Sequence, residues 1–252
     1  MGAHPPLLGP LGAAAPSLTE RAIQAVRAAI RAGSMVPGEL YSVNQLAVEL
    51  GVSRSPVRDA LLRLEETGML KFERYKGFRL QLPGAAELAQ IFAVRVSLEI
   101  PAARQAAVLA TDEQVKALER ACSALRSAAA ADVEPEFMLQ DQKLHGLLLD
   151  VAGNEYARKV VDNIRDATRL VGASTVENFR SLPEIYAEHV PIVEAVVARD
   201  AGAAASAMYR HLRQTGQLLL RKSVGLGRAD AEEESCRLWD RFVEFPEAPR
   251  ES

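Results

Sequence analysis

The chain has 252 residues, room for two domains, with 48% hydrophobic residues and 30 Lys and Arg against 33 Asp and Glu, a net charge of −3. No apolar run approaches the roughly 18 residues of a transmembrane helix. Its two cysteines, Cys122 and Cys236, make no metal-binding spacing, are too few for a disulfide framework, and fit a reducing cytoplasm.

Residues 1–16 carry Pro5, Pro6, Pro10 and Pro16 and no basic front, so they read as a flexible arm and not as an export signal. Residues 17–83 hold 10 Lys and Arg against 7 Asp and Glu, net +3, whereas the remainder carries 20 against 26, net −6. An acidic whole therefore leaves room for nucleic acid, because a small basic face is enough to neutralise a handful of phosphates. Within the basic segment Leu46, Ala47 and Leu50 give one apolar helix face, Gly51 takes a tight turn, and Ser53 stands at an N-cap position. A second helix then spans residues 54–67, pointing Arg54, Ser55 and Arg58 one way and Val57, Leu61, Leu62 and Leu64 inward. A recognition helix meets base edges with its N-terminal residues, and the forked donors of arginine suit guanine and phosphate alike.

After Gly68, two short apolar runs flank a basic turn with Arg74, Lys76 and Gly77 at its tip. This is the pattern of a β-hairpin wing, whose tip can follow the phosphate backbone or enter the minor groove. Residues 30–82 resemble the DNA-binding domain of GntR-type bacterial transcription regulators. The likeness rests on Pro37-Gly38, on Gly51-Val52-Ser53-Arg54 with Pro56-Val57-Arg58, and on Gly77-Phe78. It implies that Arg54, Ser55 and Arg58 touch double-stranded operator DNA, with Ser53 at the helix start and Arg74, Lys76 and Gly77 at the wing. Asn44 stands where some relatives carry an arginine on the preceding helix.

Past Pro83-Gly84 the chain reads as about six helices, over residues 85–109, 113–130, 136–152, 155–177, 184–199 and 203–221. Short breaks between them predict an antiparallel bundle. Three of the 4 histidines, His145, His189 and His211, lie here; His4 lies in the arm. Asp141 and His145 are four apart on one helix and share a face. His189 and His211 are equidistant from the turn at Asp200, so in a helical hairpin both imidazoles sit at one height and can converge with the Asp141 and His145 pair. Three histidines and a carboxylate suit a borderline divalent ion, zinc foremost with nickel or manganese as alternatives, and leave a position open. Pro191, two residues after His189, removes a helical hydrogen bond and either kinks that helix or marks its start.

Residues 85–221 resemble the FCD ligand-binding domain of the FadR-like branch of the GntR family, through Arg95 and Glu99, Asp141 with His145, Gly153-Asn154, Glu188-His189 and His211. The resemblance implies that the aspartate and three histidines hold the ion and that Arg95 faces an effector cavity. Metal and guanidinium together trap a carboxylate, which makes a small organic acid the expected effector. Arg165, Arg169 and Asn178 are further candidates for the cavity wall.

The fold expected is mainly α: a winged helix-turn-helix at 17–83, an antiparallel helical bundle at 84–222, and a loose tail at 223–252 in which Leu238, Trp239, Phe242 and Val243 could form a short docking helix. The function expected is that of a cytoplasmic, dimeric repressor that binds a palindromic operator and answers to an organic acid. A metal-responsive regulator, or a metalloenzyme acting on a small carboxylate, is the alternative.

Overall fold

The computed structural model describes residues 16–172, 180–225 and 228–244. Among these, the first unit begins with α1 (Leu18–Arg31), started by a capping box in which Ser17 and Glu20 satisfy each other's backbone N–H groups. Helix α2 (Val43–Leu50) ends at Gly51, whose φ of 64° supplies the left-handed residue that turns the chain into α3 (Arg54–Glu66). Ser53 occupies the N-cap of α3, but its side chain makes no capping hydrogen bond. Val57, Ala60, Leu61 and Leu64 form the inward face, joined by Val26, Ile30 and Leu46. Two residues depart from the expected faces: Leu50 and Leu62 are 37% and 38% exposed. Leu62 follows Leu61 directly, and one residue turns a helix by about 100°, so the two cannot share a stripe that narrow.

Strands β1 (Leu70–Glu73) and β2 (Gly77–Leu80) pair antiparallel, with Leu70 opposite Leu80 and Glu73 opposite Gly77. Tyr41 adds a bridge to Phe78, closing the wing onto the segment before α2. Gly77 is required there: its φ is 142°, and a Cβ would lie 2.1 Å from the Tyr41 carbonyl oxygen.

The second unit consists of α4 (Ala85–Leu109), α5 (Asp112–Ala130), α6 (Glu134–Val151), α7 (Glu155–Gly172), α8 (Leu182–Val197), α9 (Ala201–Val224) and α10 (Ala231–Phe242). Capping boxes start α5 at Thr111 and Gln114 and α8 at Ser181 and Glu184, and the Asp200 side chain caps α9. Leu88, Phe92, Leu118, Leu125, Phe137, Leu144, Ile192 and Leu212 make the core, with α4 packed along α9 at its centre. Helix α8 runs through Pro191 and begins well before it, so the proline does not mark the start of the helix.

Residues 228–244 do not lie loose but form the short docking helix expected from Leu238, Trp239, Phe242 and Val243. Helix α10 packs on α9 and α4, and Trp239 is fully buried against Phe92, with ring centroids 6.0 Å apart. Gly216 on α9 opens the seat, since a Cβ there would lie 2.2 Å from a Trp239 ring carbon. An indole that removes roughly 150–250 Å² of surface from water gives this short helix its reason to dock despite the acidic run that opens it. The two units also meet directly: Arg27 of α1 places Nε 3.5 Å from an Asp166 carboxylate oxygen on α7, and both side chains are nearly buried.

Candidate functional site

The first turn of α3 presents Arg54, Ser55 and Arg58 to solvent beside Ser53, and Asn44 is exposed on the second residue of α2, its backbone N–H donating to Ser42 Oγ at 3.2 Å. The Arg58 guanidinium lies 5.6 Å from the Phe72 ring centroid, so the wing strand steadies a side chain of the recognition helix. At the wing tip Arg74 and Lys76 are exposed around Tyr75, which is 92% exposed with φ of 61°. Arg74 stacks on that ring at 4.9 Å and donates to its hydroxyl at 3.0 Å. The tip thus carries an aromatic that the basic pattern around it did not single out.

In the helical unit the spacing arguments lead to one place. Asp141 and His145 come from α6, His189 from α8 and His211 from α9, and one ligand atom of each lies within 4.8 Å of all the others. The His145 Nε2 is 3.3 Å from the His189 Nε2, and an Asp141 oxygen is 2.9 Å from the latter and 3.9 Å from the former. Nitrogen ligands of a tetrahedral zinc ion stand about 3.3 Å apart, within that spread. All four residues are buried.

A second layer fixes how the rings face. His145 uses Nδ1 toward the Glu99 carboxylate, His189 uses Nδ1 toward the Ile185 carbonyl at 2.8 Å, and His211 uses Nδ1 toward Glu188 at 3.0 Å. Each Nδ1–H donates outward, so each Nε2 keeps its lone pair, the arrangement that orients a metal-ligating imidazole. Burial and then the nearby Arg165 push His145 down to about 4, and burial with the neighbouring histidines holds His211 well below its usual value. Both rings are therefore neutral and able to ligate near neutral pH. Burial alone would raise the Asp141 and Glu99 carboxyls; for Asp141 Arg165 and the histidines outweigh it, and for Glu99 Arg95, His145 and Arg165 do, so both stay ionised. The set of donors fits a divalent ion.

Beside the cluster lies a cavity of about 80 Å³, walled by the polar side chains of Arg95, Asp141, Arg165, Arg180, His211 and Thr215 and by the apolar ones of Phe137, Ile185 and Leu219. Arg95 donates through Nε to Glu99 at 2.6 Å and stacks at 5.0 Å on Phe92. Arg165 pairs with Asp141 and stands 3.6 Å from Glu99. Of the other expected wall residues, the Arg169 side chain and Asn178 lie outside the described part of the structure. Sequence reasoning left unassigned Glu99 and Glu188 as histidine partners and Arg180, Thr215 and Asp166 as wall residues. Thr215 sits four residues after His211, a helical neighbour whose spacing was there to be read.

The family model for bacterial regulatory proteins of the gntR family matches residues 18–80, and that for the FCD domain matches residues 90–214. The chain belongs to the GntR family. Among relatives, a 32% identical stretch of 136 residues, 52% of this chain and 78% of the other, is shared with an uncharacterized HTH-type transcriptional regulator in the TAR-I ttuE-ttuC' intergenic region of Agrobacterium vitis. The HTH-type transcriptional repressor RspR of Escherichia coli is 26% identical over 183 residues, 73% of this chain and 80% of that one. In structure the chain is similar to Escherichia coli McbR/YncC, with a TM-score of 0.75, 20% identity, and cover of 82% of this chain and 99% of that one, a likeness of fold. This GntR protein is a DNA-binding transcriptional regulator with a winged reader and an FCD domain, and not an enzyme. Among its described residues no helix is long and apolar enough to cross a membrane.

Proposed function

We propose that this GntR protein is a cytoplasmic, homodimeric repressor that grips a palindromic operator with two α3 helices and releases it when a small organic acid binds at a metal in the FCD domain. Asp141, His145, His189 and His211 would hold the ion, zinc foremost and nickel or manganese otherwise. The observation that carries the reading is that three imidazoles have their Nδ1 atoms taken by Glu99, Ile185 and Glu188 while their other faces converge on one buried aspartate. When bound, the ion supplies a Lewis-acid seat for a carboxylate oxygen. Arg95 and Arg165 at the cavity wall favour the same anion.

Repression is supported by the relative named as a repressor. A route for the signal is supported by Asp166, which lines the effector cavity and pairs with Arg27 of the winged unit. At the operator Arg54, Ser55 and Arg58, with Asn44 and Ser53 beside them, would meet the major groove, and Arg74, Lys76 and Gly77 would follow the backbone.

The test is a fluorescence-anisotropy titration of operator DNA, with metal content measured by elemental analysis, in the presence and absence of chelator and then with a panel of organic acids at constant metal. Release by an acid at constant metal is expected. Release by changing the metal alone, with every acid silent, would refute the acid as signal and favour a metal-responsive regulator.

A further inference from the structure

Among the described residues, four buried side-chain atoms make no hydrogen bond: Nε of Arg27, Nη1 of Arg165, Nε of Arg180 and Oγ1 of Thr215. Three of the four belong to walls of the cavity beside the metal cluster. A buried donor without a partner is costly, so a cluster of them marks a place where something polar is meant to sit. One of the three has a plain relation to the cluster. Arg165 is held by Asp141 and Glu99, at the end where the ligating side chains converge.

Arg180 and Thr215 form a different set. Arg180 is 9% exposed and gives Nη1 to Glu188 at 2.6 Å, which fixes its guanidinium while leaving Nε unused. Thr215 stands one helical turn beyond His211 on α9 and has no partner for its hydroxyl. The Arg180 Nε can only donate, and a threonine hydroxyl can donate as well, so what satisfies both is an acceptor, best an anionic one. The same walls carry Phe137, Ile185 and Leu219, apolar surface that suits a short hydrocarbon spacer.

Resting on the reading of the cavity as an acid site at a metal, we infer that the effector has two poles: one carboxylate at the metal with Arg95 and Arg165, and a second at Arg180 and Thr215. The ligand class is a short dicarboxylate. Size agrees: one ordered water takes roughly 10–15 Å³, so a cavity of about 80 Å³ has room for about five to eight heavy atoms. Malonate and succinate fall in that range, and propionate and butyrate are their one-poled counterparts.

Isothermal titration of the zinc-loaded full chain with these four acids tests the inference. The dicarboxylates should bind at least ten times more tightly than the monocarboxylates of equal carbon count. Thr215→Val, which removes the hydroxyl at constant shape, should reduce that advantage roughly tenfold while leaving butyrate affinity within about twofold. Arg180→Lys, which keeps a positive charge for Glu188 but has no Nε–H held in a fixed fork beside it, should act likewise, with zinc content checked because Glu188 orients His211. Equal affinity for both acid classes in the unmodified protein, with butyrate still bound, would overturn the second pole and leave the first standing. A dicarboxylate advantage that survives both substitutions would also overturn it. Zinc retained with no acid bound at all would overturn the acid site itself and this inference with it.

Discussion

Glu99 stands where the most can be learned from one atom exchange. It is 1% exposed, accepts from Arg95 at 2.6 Å, engages His145 through its other oxygen, and has Arg165 at 3.6 Å. Glu99→Gln keeps the shape and removes the charge. Arg95, itself 3% exposed, is then left without a charged partner, whereas Arg165 keeps Asp141. Breaking a buried pair from one side costs about 3–5 kcal/mol, and a retained amide acceptor argues for the lower end. At roughly 2–4 °C per kcal/mol for a chain of this size, metal-free protein should melt at least about 6 °C lower than the parent. Loss of the group that orients His145 should separately weaken metal binding about tenfold to a hundredfold. Two measurements separate the effects: melting curves in chelator, and zinc affinity by competition with a chromogenic chelator. A melting point within about 2 °C of the parent in chelator and a zinc Kd within twofold would refute both the buried-charge argument and the role of Glu99 in orienting the ring.

Other outcomes follow from the same geometry. Arg54→Ala and Arg58→Ala should each weaken specific operator binding by roughly 1–3 kcal/mol while leaving zinc content unchanged, as gel shift and elemental analysis would show; unchanged affinity in both would move DNA reading away from the front of α3. Stripping metal with chelator should lower the melting point, since an ion bound only by the folded state adds about 2.7 kcal/mol at a free concentration one hundred times its Kd; identical melts with and without chelator would remove the metal. Gly216→Ala forces a methyl into the seat of Trp239 and should cost about 1–3 kcal/mol. Because the chain has 1 tryptophan, its emission reports on this directly, and an unshifted spectrum with an unchanged melting point would show that the contact relaxes freely.

What the sequence made legible was what local chemistry writes twice. The winged unit announces itself through a glycine that only a left-handed turn needs, a polar residue at each helix start, and arginines on the face opposite the leucines. The convergence of Asp141, His145, His189 and His211 was legible because the loop at Asp200 is short enough for counting outward from it to equal height in space. Glu99 and Glu188 were harder, since a carboxylate on a helix usually marks a wet face, and only the approach of α6 and α9 turns these two inward. Helix α10 was half legible: Leu238, Trp239, Phe242 and Val243 marked a docking helix, but beside Glu232, Glu233 and Glu234 nothing marked Gly216 as its seat. Neither a missing Cβ on one helix nor an indole on another is informative alone; the match exists only after folding.

That match has a consequence for damaged copies of the protein. A premature stop after Val224 would spare Asp141, all three converging histidines, Arg95 and the whole winged unit, so by inventory such a product is a complete regulator. It would lack Trp239, and its α9 would expose the hollow at Gly216 with Phe92 beneath it. Filling lost from a core costs about 3–5 kcal/mol for an aromatic this size, a large share of the roughly 5–15 kcal/mol that holds a domain together. Such a product meets the cell's proteases before it meets its operator, and the lesion registers as falling protein abundance with the reading head intact.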